Sequence, residues 1–124
     1  MVHLDTGFLI RALVPGSPEN RMLRAWIRDG ATLAMSAVAW AELLCGPIEE
    51  THRDLAARVV PGVVPFTEHD ARVAARLFNE TGRRRGSFVD CMIAAAALQA
   101  GASLATTNTS DFRRFEPAGL SLAD

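Results

Sequence analysis

Short apolar runs alternate along the chain with longer segments in which apolar residues recur every three or four positions. The short runs predict buried strands, whereas the longer segments predict helices that pack one face against a sheet. Strands are expected at 2–4, 32–35, 63–66, 103–106 and, as a short final stretch, near 120–122. Helices are expected at 6–13, 18–29, 36–46, 49–59, 67–80 and 87–100. This alternation favours an α/β fold with a mainly parallel central sheet flanked by helices.

Residues typical of helix starts support several of these boundaries. Ser17 stands before Pro18, and this order of a capping residue and a proline is common where a helix begins. Ser36 occupies the capping position before the third helix. Thr67 and Asp70 have the spacing of a capping box, in which each side chain bonds the backbone N–H of the other residue.

Length and composition are those of a single globular domain. The 124 residues suffice for one core but not for two, and 49% of them are hydrophobic. No apolar run reaches the roughly 18 residues that a membrane span needs, and the chain does not open with a basic segment followed by an apolar one. We therefore expect one domain over residues 1–124 and a cytoplasmic location.

The charge and the cysteine content of the chain exclude few functions. The net charge is −1, yet all 13 basic residues are arginine. Arginine suits phosphate recognition, but GC-rich coding also enriches a chain in Arg and Ala. The second explanation is favoured, because a general nucleic-acid binder carries a stronger basic footprint. Cys45 and Cys91 lack metal-ligand spacing and are expected to be buried free thiols.

Four isolated carboxylates interrupt the apolar pattern. Asp5 ends the first strand, Asp111 follows the 103–106 strand in TTNTSDF, and Asp90 is the only charge in FVDCMIAAAAL. Glu42 has no charged residue within six positions on either side, so no helical neighbour can pair with it. A buried carboxylate without a partner costs several kcal/mol. The four acids therefore suggest one shared partner, and a divalent cation is the simplest.

The predicted elements allow these four acids to converge. In an open α/β sheet, ligands bind at the carboxyl ends of the parallel strands. Asp5 and Asp111 follow strands at that edge. Glu42 and Asp90 lie in the early turns of helices that would start from the same edge.

Three of the four acids also have a purely structural explanation. Asp5 can cap the helix that follows it, and Asp111 can cap a turn around 111–112 in the loop expected after the fourth strand. Asp90 stands three residues after Ser87, which is again the spacing of a capping box. Glu42 has no such alternative, so it carries most weight in the metal hypothesis.

Two further candidates are weaker. His3 shares a strand face with Asp5 by alternation, but an imidazole near a strand end is more often structural. The run Arg83, Arg84 and Arg85 lies between two glycines shortly before Asp90. It is most simply a solvated loop, and the alternative is a loop that holds a phosphate backbone.

The tripeptide Asp5-Thr6-Gly7 also matches the signature of aspartic proteases, which pair two such aspartates. Those enzymes are built almost entirely of β-structure, whereas the present chain is rich in alanine and in helical patterns. We reject a protease on these grounds of fold.

The order of the acidic segments resembles PIN-domain ribonucleases and, among them, the VapC toxins of bacterial VapBC toxin–antitoxin modules. The similarity is carried by VHLDTGFLI, by SAVAWAELLCGP and by GRRRGSFVDCMIAAAALQAGASLATTNTSDF. It covers nearly the whole chain. No single motif is specific, but the four in this order on matching elements are strong. The fold implied, a parallel sheet flanked by helices, agrees with the pattern.

The resemblance implies a set of site residues. The three near-invariant acids of the family, and a fourth from the T-N-x-x-D-F stretch, fall on Asp5, Glu42, Asp90 and Asp111. The first and third of these are expected to be the main direct metal ligands. Thr6 matches a hydroxyl position that bonds a carboxylate or a metal water, and Asn108 stands where some relatives carry an acid. Oxygen ligands without His or Cys fit Mg²⁺ or Mn²⁺ better than zinc.

The resemblance also implies an activity and partners. The activity is endonucleolytic cleavage of RNA by a metal-activated water, which leaves 5′-phosphate and 3′-hydroxyl ends. The partners are RNA, a VapB-type antitoxin whose C-terminal segment covers the acidic site, and a second copy of the chain. Trp26 and Trp40 are candidate contacts for that copy, although both can equally belong to the core. The alternatives are a non-catalytic PIN-like binding module and a housekeeping RNA-processing or DNA-acting nuclease.

Overall fold

Four parallel strands form one sheet in the order β3-β2-β1-β4. The structure is a computed structural model and describes residues 1–124. In β1, His3 lies opposite Ala34 of β2 and Leu104 of β4. The strands are β1 at Val2–Leu4, β2 at Leu33–Ser36, β3 at Val63–Val64 and β4 at Ser103–Ala105. The predicted α/β fold with a parallel central sheet is confirmed.

Seven α-helices flank the sheet, and most begin where the sequence predicts. They are α1 at Thr6–Ala12, α2 at Pro18–Arg28, α3 at Ala37–Cys45, α4 at Glu50–Val59, α5 at Glu68–Glu80, α6 at Phe88–Ala100 and α7 at Thr109–Phe112. Ser17 and Ser36 each accept a hydrogen bond from the backbone N–H three residues further on. Thr67 and Asp70 form the predicted capping box. No helix combines the length and apolar composition required to cross a membrane.

The structure corrects the predicted elements in two places. The strand expected at 63–66 ends at Val64, because Pro65 has no N–H to donate to a neighbouring strand. The strand expected near 120–122 is a single bridge between Leu104 and Leu122. It is this short because the preceding chain is helical: α7 continues into a 3₁₀-helix at Arg113–Ala118, where a loop and turn were expected.

The core lies between the sheet and its helices and includes aromatic rings from both ends of the chain. Phe8 of α1 and Phe115 of the 3₁₀-helix are fully buried. Trp26 stacks on Phe8 with ring centroids 5.5 Å apart, and Trp40 also packs against the core. Both tryptophans therefore contribute to the packing of the domain itself.

The two cysteines differ in environment. Cys91 is a buried free thiol, as predicted. Cys45 is exposed, contrary to the prediction. The reason is that α3, apolar except for Glu42, buries only Ala39 and Leu43, so an apolar neighbourhood in sequence does not place its last residue in the core.

His3 is buried in β1 without a hydrogen-bond partner. Its ring is 1% exposed, and neither Nδ1 nor Nε2 has an acceptor or donor within reach. Burial lowers the pKa of His3; the negative charge of Asp70 opposes this effect, and the charge of the N-terminal amine adds to it. The imidazole is therefore neutral and acts as a space-filling part of the sheet.

We expect His3→Leu to raise the free energy of unfolding at pH 7 by about 1 kcal/mol, because the leucine removes two unsatisfied polar atoms from the core. The wild-type protein should also lose stability as the pH falls below the usual imidazole range. In that range the unfolded chain binds a proton that the folded chain, with its lowered pKa, does not. The variant should lose less.

Urea unfolding between pH 5 and 8 measures both effects, with the exposed His69→Leu as the matched control. A variant that is less stable than the wild type at every pH would show that the imidazole makes a stabilising hydrogen bond in solution.

Candidate active site

The carboxyl ends of β1 and β4 lie side by side. The backbone N–H of Asp5, just after β1, donates to the carbonyl of Ala105 at the end of β4, at 2.9 Å. From β1 the chain proceeds to β2 and β3 on one side of the sheet and then returns to β4 on the other side. Ligands of open α/β sheets bind at this kind of switch point, outside the carboxyl ends of the strands.

Both carboxylate oxygens of Asp5 accept hydrogen bonds. Oδ1 accepts from the backbone N–H of Thr6 at 2.9 Å, so Asp5 caps α1 as the structural explanation predicts. Oδ2 accepts from the hydroxyl of Thr106 at 2.9 Å. Burial raises the pKa of Asp5 despite these two bonds, each of which favours the charged form. The cap therefore fixes the direction of a carboxylate at the switch point.

Glu42 faces this carboxylate from α3, but from an exposed position. The prediction that Glu42 is buried is wrong, because only Ala39 and Leu43 of α3 lie in the core. The hydroxyl of Thr6 connects α1 to α3: it donates to the carbonyl of Ala39 at 2.7 Å and lies 3.5 Å from Oε1 of Glu42.

Asp90 lies in the first turn of α6 and makes no capping box. Ser87 already has a helical backbone conformation, and its hydroxyl donates to the carbonyl of Arg84 at 2.7 Å instead of accepting from α6. The structural explanation for Asp90 is thus wrong, and its carboxylate is left for other partners. One partner is Arg114, whose Nη2 lies 3.5 Å from Oδ2 of Asp90.

Asp111 is the third residue of α7, so it does not cap that helix. Its Oδ2 accepts from the amide of Asn108 at 2.7 Å. The backbone N–H of Asn108 in turn donates to the hydroxyl of Thr106 at 3.0 Å. Asn108 thus fixes the carboxylate of Asp111 and connects it to the Thr106–Asp5 bond.

The pKa values of Glu42 and Asp90 show the influence of the neighbouring acids. Partial desolvation raises the pKa of Glu42 most, and the charges of Asp5 and Asp90 raise it further. Burial and the charge of Asp5 raise the pKa of Asp90; Arg114 lowers it, and Asp111 raises it further. The structure therefore brings the four predicted acids into one electrostatic cluster.

The chemistry of this cluster fits a hard divalent cation. Its donors are carboxylate oxygens, which Mg²⁺ and Mn²⁺ prefer, and a cation would relieve the repulsion that raises the pKa values. The side chains do not form a closed cage, because no three His, Cys, Asp or Glu residues converge into a complete metal-binding group.

An open cleft of about 620 Å³ borders the cluster on the side of Glu42. Its walls come from α3 and from the start of α6 and are mostly apolar, and they include Val38, Ala41, Cys45 and Val89. Glu42 is thus reached directly from solvent, and a bulky substrate can approach it.

The arginine run is an exposed loop, as predicted, but its three residues differ. Arg83 has a positive φ of 53°, lies over the ring of Phe78 at 5.4 Å and donates to the side chain of Asn79. Arg84 and Arg85 are exposed and make no ion pair. Two of the three guanidinium groups are therefore free next to α6.

Sequence reasoning missed Thr106 and Arg114. Thr106 was assigned to the end of a strand, and its hydroxyl could have been noticed because strand ends at this edge carry the site. Arg114 was assigned to a loop. No local signal in the sequence marks Arg114 as a buried residue.

Comparisons with known proteins agree with this architecture. The sequence model of the PIN domain matches residues 2–116. No curated protein matches the chain in sequence. Several solved structures match it over nearly its full length.

VapBC2 of Rickettsia felis bound to a promoter DNA fragment matches with a TM-score of 0.78 and 21% identity, over 99% of this chain and 98% of that chain. VapBC-1 of nontypeable Haemophilus influenzae matches with a TM-score of 0.73 and 24% identity, over 100% and 98%. VapC20 of Mycobacterium tuberculosis, a toxin described as cleaving the sarcin-ricin loop, matches with a TM-score of 0.69 and 16% identity, over 99% and 98%. At these identities the likeness is one of fold.

We expect Glu42→Gln to raise the melting temperature of the metal-free protein at pH 8 by about 1–3 °C, because it removes a charge that partial desolvation and the charges of Asp5 and Asp90 disfavour. The gain should shrink towards pH 4. The pKa of Glu42 is raised in the folded protein, so its ionisation lowers the free energy of unfolding as the pH rises. At low pH the carboxyl is protonated in both the folded and the unfolded state, and it then has no effect on the free energy of unfolding.

Thermal unfolding in EDTA across this pH range provides the measurement. Glu116→Gln, at an exposed glutamate without an ion pair, is the control for the loss of one negative charge. An equal gain in both variants would mean that Glu42 senses only the overall charge of the protein.

Proposed function

The chain belongs to the PIN-domain family, and on that premise we propose that it is a Mg²⁺- or Mn²⁺-dependent endoribonuclease. One observation carries the proposal: at the carboxyl ends of two adjacent parallel strands, burial and the charges of Asp5 and Asp90 raise the pKa of Glu42, and burial and the charges of Asp5 and Asp111 raise that of Asp90. PIN domains are typically nucleases, and VapC20, of similar fold, is described as an RNA-cleaving toxin.

In this proposal Asp5 and Asp90 are the main metal ligands. Bound Mg²⁺ or Mn²⁺ supplies the Lewis acidity that polarises the scissile phosphate and lowers the pKa of the attacking water. Glu42, which opens to the cleft, and Asp111, held by Asn108, orient the water. The water would lose a proton to solvent as it attacks phosphorus opposite the 3′ oxygen. The bond between phosphorus and that oxygen would break, the 3′ oxygen would take up a proton from solvent to give a hydroxyl, and the phosphate would stay on the 5′ oxygen of the next nucleotide.

Two threonines have supporting roles in the same proposal. Thr106 keeps the carboxylate of Asp5 in place through its hydroxyl bond. Thr6 holds α1 against α3 through the carbonyl of Ala39, which sets the distance between Asp5 and Glu42. A substitution at either threonine would act through the position of these acids.

We further propose that the chain is the toxin of a type II toxin–antitoxin module. Several structures of similar fold are toxin–antitoxin complexes, some of them with DNA bound. The partner would be a VapB-type antitoxin whose C-terminal segment covers the acids, and the chain would pair with a second copy in the cytoplasm. A small gene directly upstream whose product relieves the toxicity of this chain on expression would support the toxin role. Harmless expression without that partner would favour a housekeeping nuclease.

We expect Asp5→Asn to lower RNA cleavage at least about 100-fold while the fold stays intact. The asparagine loses a metal ligand, but its side-chain oxygen can still accept from the N–H of Thr6. The measurement is cleavage of total RNA by the purified protein with Mg²⁺, Mn²⁺ or EDTA, and the ends of the fragments identify the bond that is broken.

Asp54→Asn, at an exposed aspartate of α4, is the matched control and should cleave at the wild-type rate. If Asp5→Asn cleaved RNA at the wild-type rate, the assignment of Asp5 to the active site would be wrong. No cleavage by the antitoxin-free wild type in any metal would favour the alternative of a non-catalytic binding module.

We also propose that Arg84 and Arg85 contact the RNA backbone. Replacing both with glutamine should weaken RNA binding and reduce the slope of log K against log salt by roughly 0.7 for each arginine, because fewer counterions are released. Binding is measured at several salt concentrations in the Asp5→Asn background, where the RNA stays intact. The control replaces Arg24 and Arg28 of α2 with glutamine; α2 leads to the amino end of β2, away from the carboxyl ends of the strands. An equal effect of the control would show that Arg84 and Arg85 act only through the overall charge of the protein.

A further inference from the structure

Arg114 is the only arginine that the fold takes largely out of solvent. Its side chain is 14% exposed, whereas the other arginines lie at the surface. It follows α7 in the 3₁₀-helix, and its guanidinium points towards the first turn of α6. Burying a guanidinium is costly, so its position in the fold needs a compensating interaction.

The guanidinium is held from two sides. On one side its central carbon lies 4.7 Å from the centroid of the Phe115 ring, and Phe115 is fully buried and packs edge-on against Phe112. On the other side Nη2 lies 3.5 Å from Oδ2 of Asp90. The aromatic contact fixes the plane of the group, and the acid lies at its polar edge.

Asp90 depends on this contact more than the other acids depend on any one partner. Asp5 accepts two hydrogen bonds, Asp111 accepts one from Asn108, and Glu42 lies within 3.5 Å of a hydroxyl. The carboxylate of Asp90 accepts no hydrogen bond and has a single ion-pair partner, the guanidinium of Arg114.

The guanidinium also has unused donors. Nε and Nη2 of Arg114 are buried and make no hydrogen bond, and the 3.5 Å approach to Asp90 is longer than a charge-assisted hydrogen bond. A planar guanidinium presents its N–H groups in fixed directions, so these free donors can orient a carboxylate that comes within hydrogen-bond distance.

We propose that Arg114 is a positioning residue, which fixes the carboxylate of Asp90 for binding a divalent cation. The proposal rests on the metal-dependent function proposed above. A positioning role and a purely electrostatic role of Arg114 predict opposite changes in the affinity for the cation when the arginine is replaced. A positive charge near the site repels a cation, so removal of the charge alone would tighten metal binding. Loss of the positioning contact would weaken it.

The test is a calorimetric titration of the metal-free, full-length protein with Mn²⁺ in the absence of RNA. Arg114→Met keeps an unbranched side chain that can contact the Phe115 ring, but it lacks the charge and the N–H groups. We expect it to weaken Mn²⁺ binding about 10-fold or more, the usual effect of removing a group that orients a metal ligand. Arg114→Lys, which keeps the charge without the planar fork, should lose less.

Arg113→Met is the matched control, because Arg113 is the exposed neighbour in the same 3₁₀-helix and the charge change is identical. Its Mn²⁺ affinity should equal that of the wild type or slightly exceed it. Circular dichroism melts establish which variants are folded, and Arg114→Lys alone decides the question if the methionine variant does not fold.

The outcomes separate this proposal from the function on which it rests. Weaker binding by both Arg114 variants, with an unchanged control, supports the positioning role. Unchanged or tighter binding by folded Arg114 variants overturns it and leaves the metal site standing. A wild-type protein that binds no Mn²⁺ overturns the metal site together with the role of Arg114.

Discussion

Mutual repulsion among four carboxylates is the constraint that the surrounding structure has to meet. Burial and neighbouring negative charges raise the pKa values of Glu42 and Asp90 at this edge of the sheet. The chain counters this with specific contacts: a helix cap and a hydroxyl at Asp5, a side-chain amide at Asp111, and a buried guanidinium at Asp90. The segment after β4 provides three of these contacts, so residues near the end of the domain contact acids of β1 and α6 as well as Asp111 in the same segment.

This arrangement depends on the topology of the sheet. Because β4 returns to the far side of β1, the residues that follow β4 lie beside Asp5, although about a hundred positions separate them in sequence. The 3₁₀-helix buries Phe115, and the adjacent Arg114 reaches Asp90 of α6. The same 3₁₀-helix therefore contributes Phe115 to the core and the charge of Arg114 to the acidic cluster.

The sequence predicted the fold well wherever local signals and burial agree. The apolar runs located β1 and β4, and the serine caps and the Thr67–Asp70 box located the helix starts, because these signals act within a few residues. The four acids were also named from the sequence, and the structure brings them together. The reasoning for Glu42 was nevertheless wrong, since an apolar neighbourhood in sequence does not reveal which face of α3 is covered. Arg114 could not be predicted, because its partner is an acid on another element and its helix contains a proline.

Asp5 both caps α1 and belongs to the acidic cluster, and this combination has an evolutionary consequence. The same carboxylate starts α1 and faces the other acids, so most replacements would damage folding and chemistry together. Asparagine and serine both keep a cap acceptor, and of the two only asparagine arises from an aspartate codon by one nucleotide change. If the proposed function holds, a gene silenced in this way would still encode a folded protein. Such a copy would compete for the antitoxin as a decoy, and inactivation of one gene would then disturb the balance of its intact relatives.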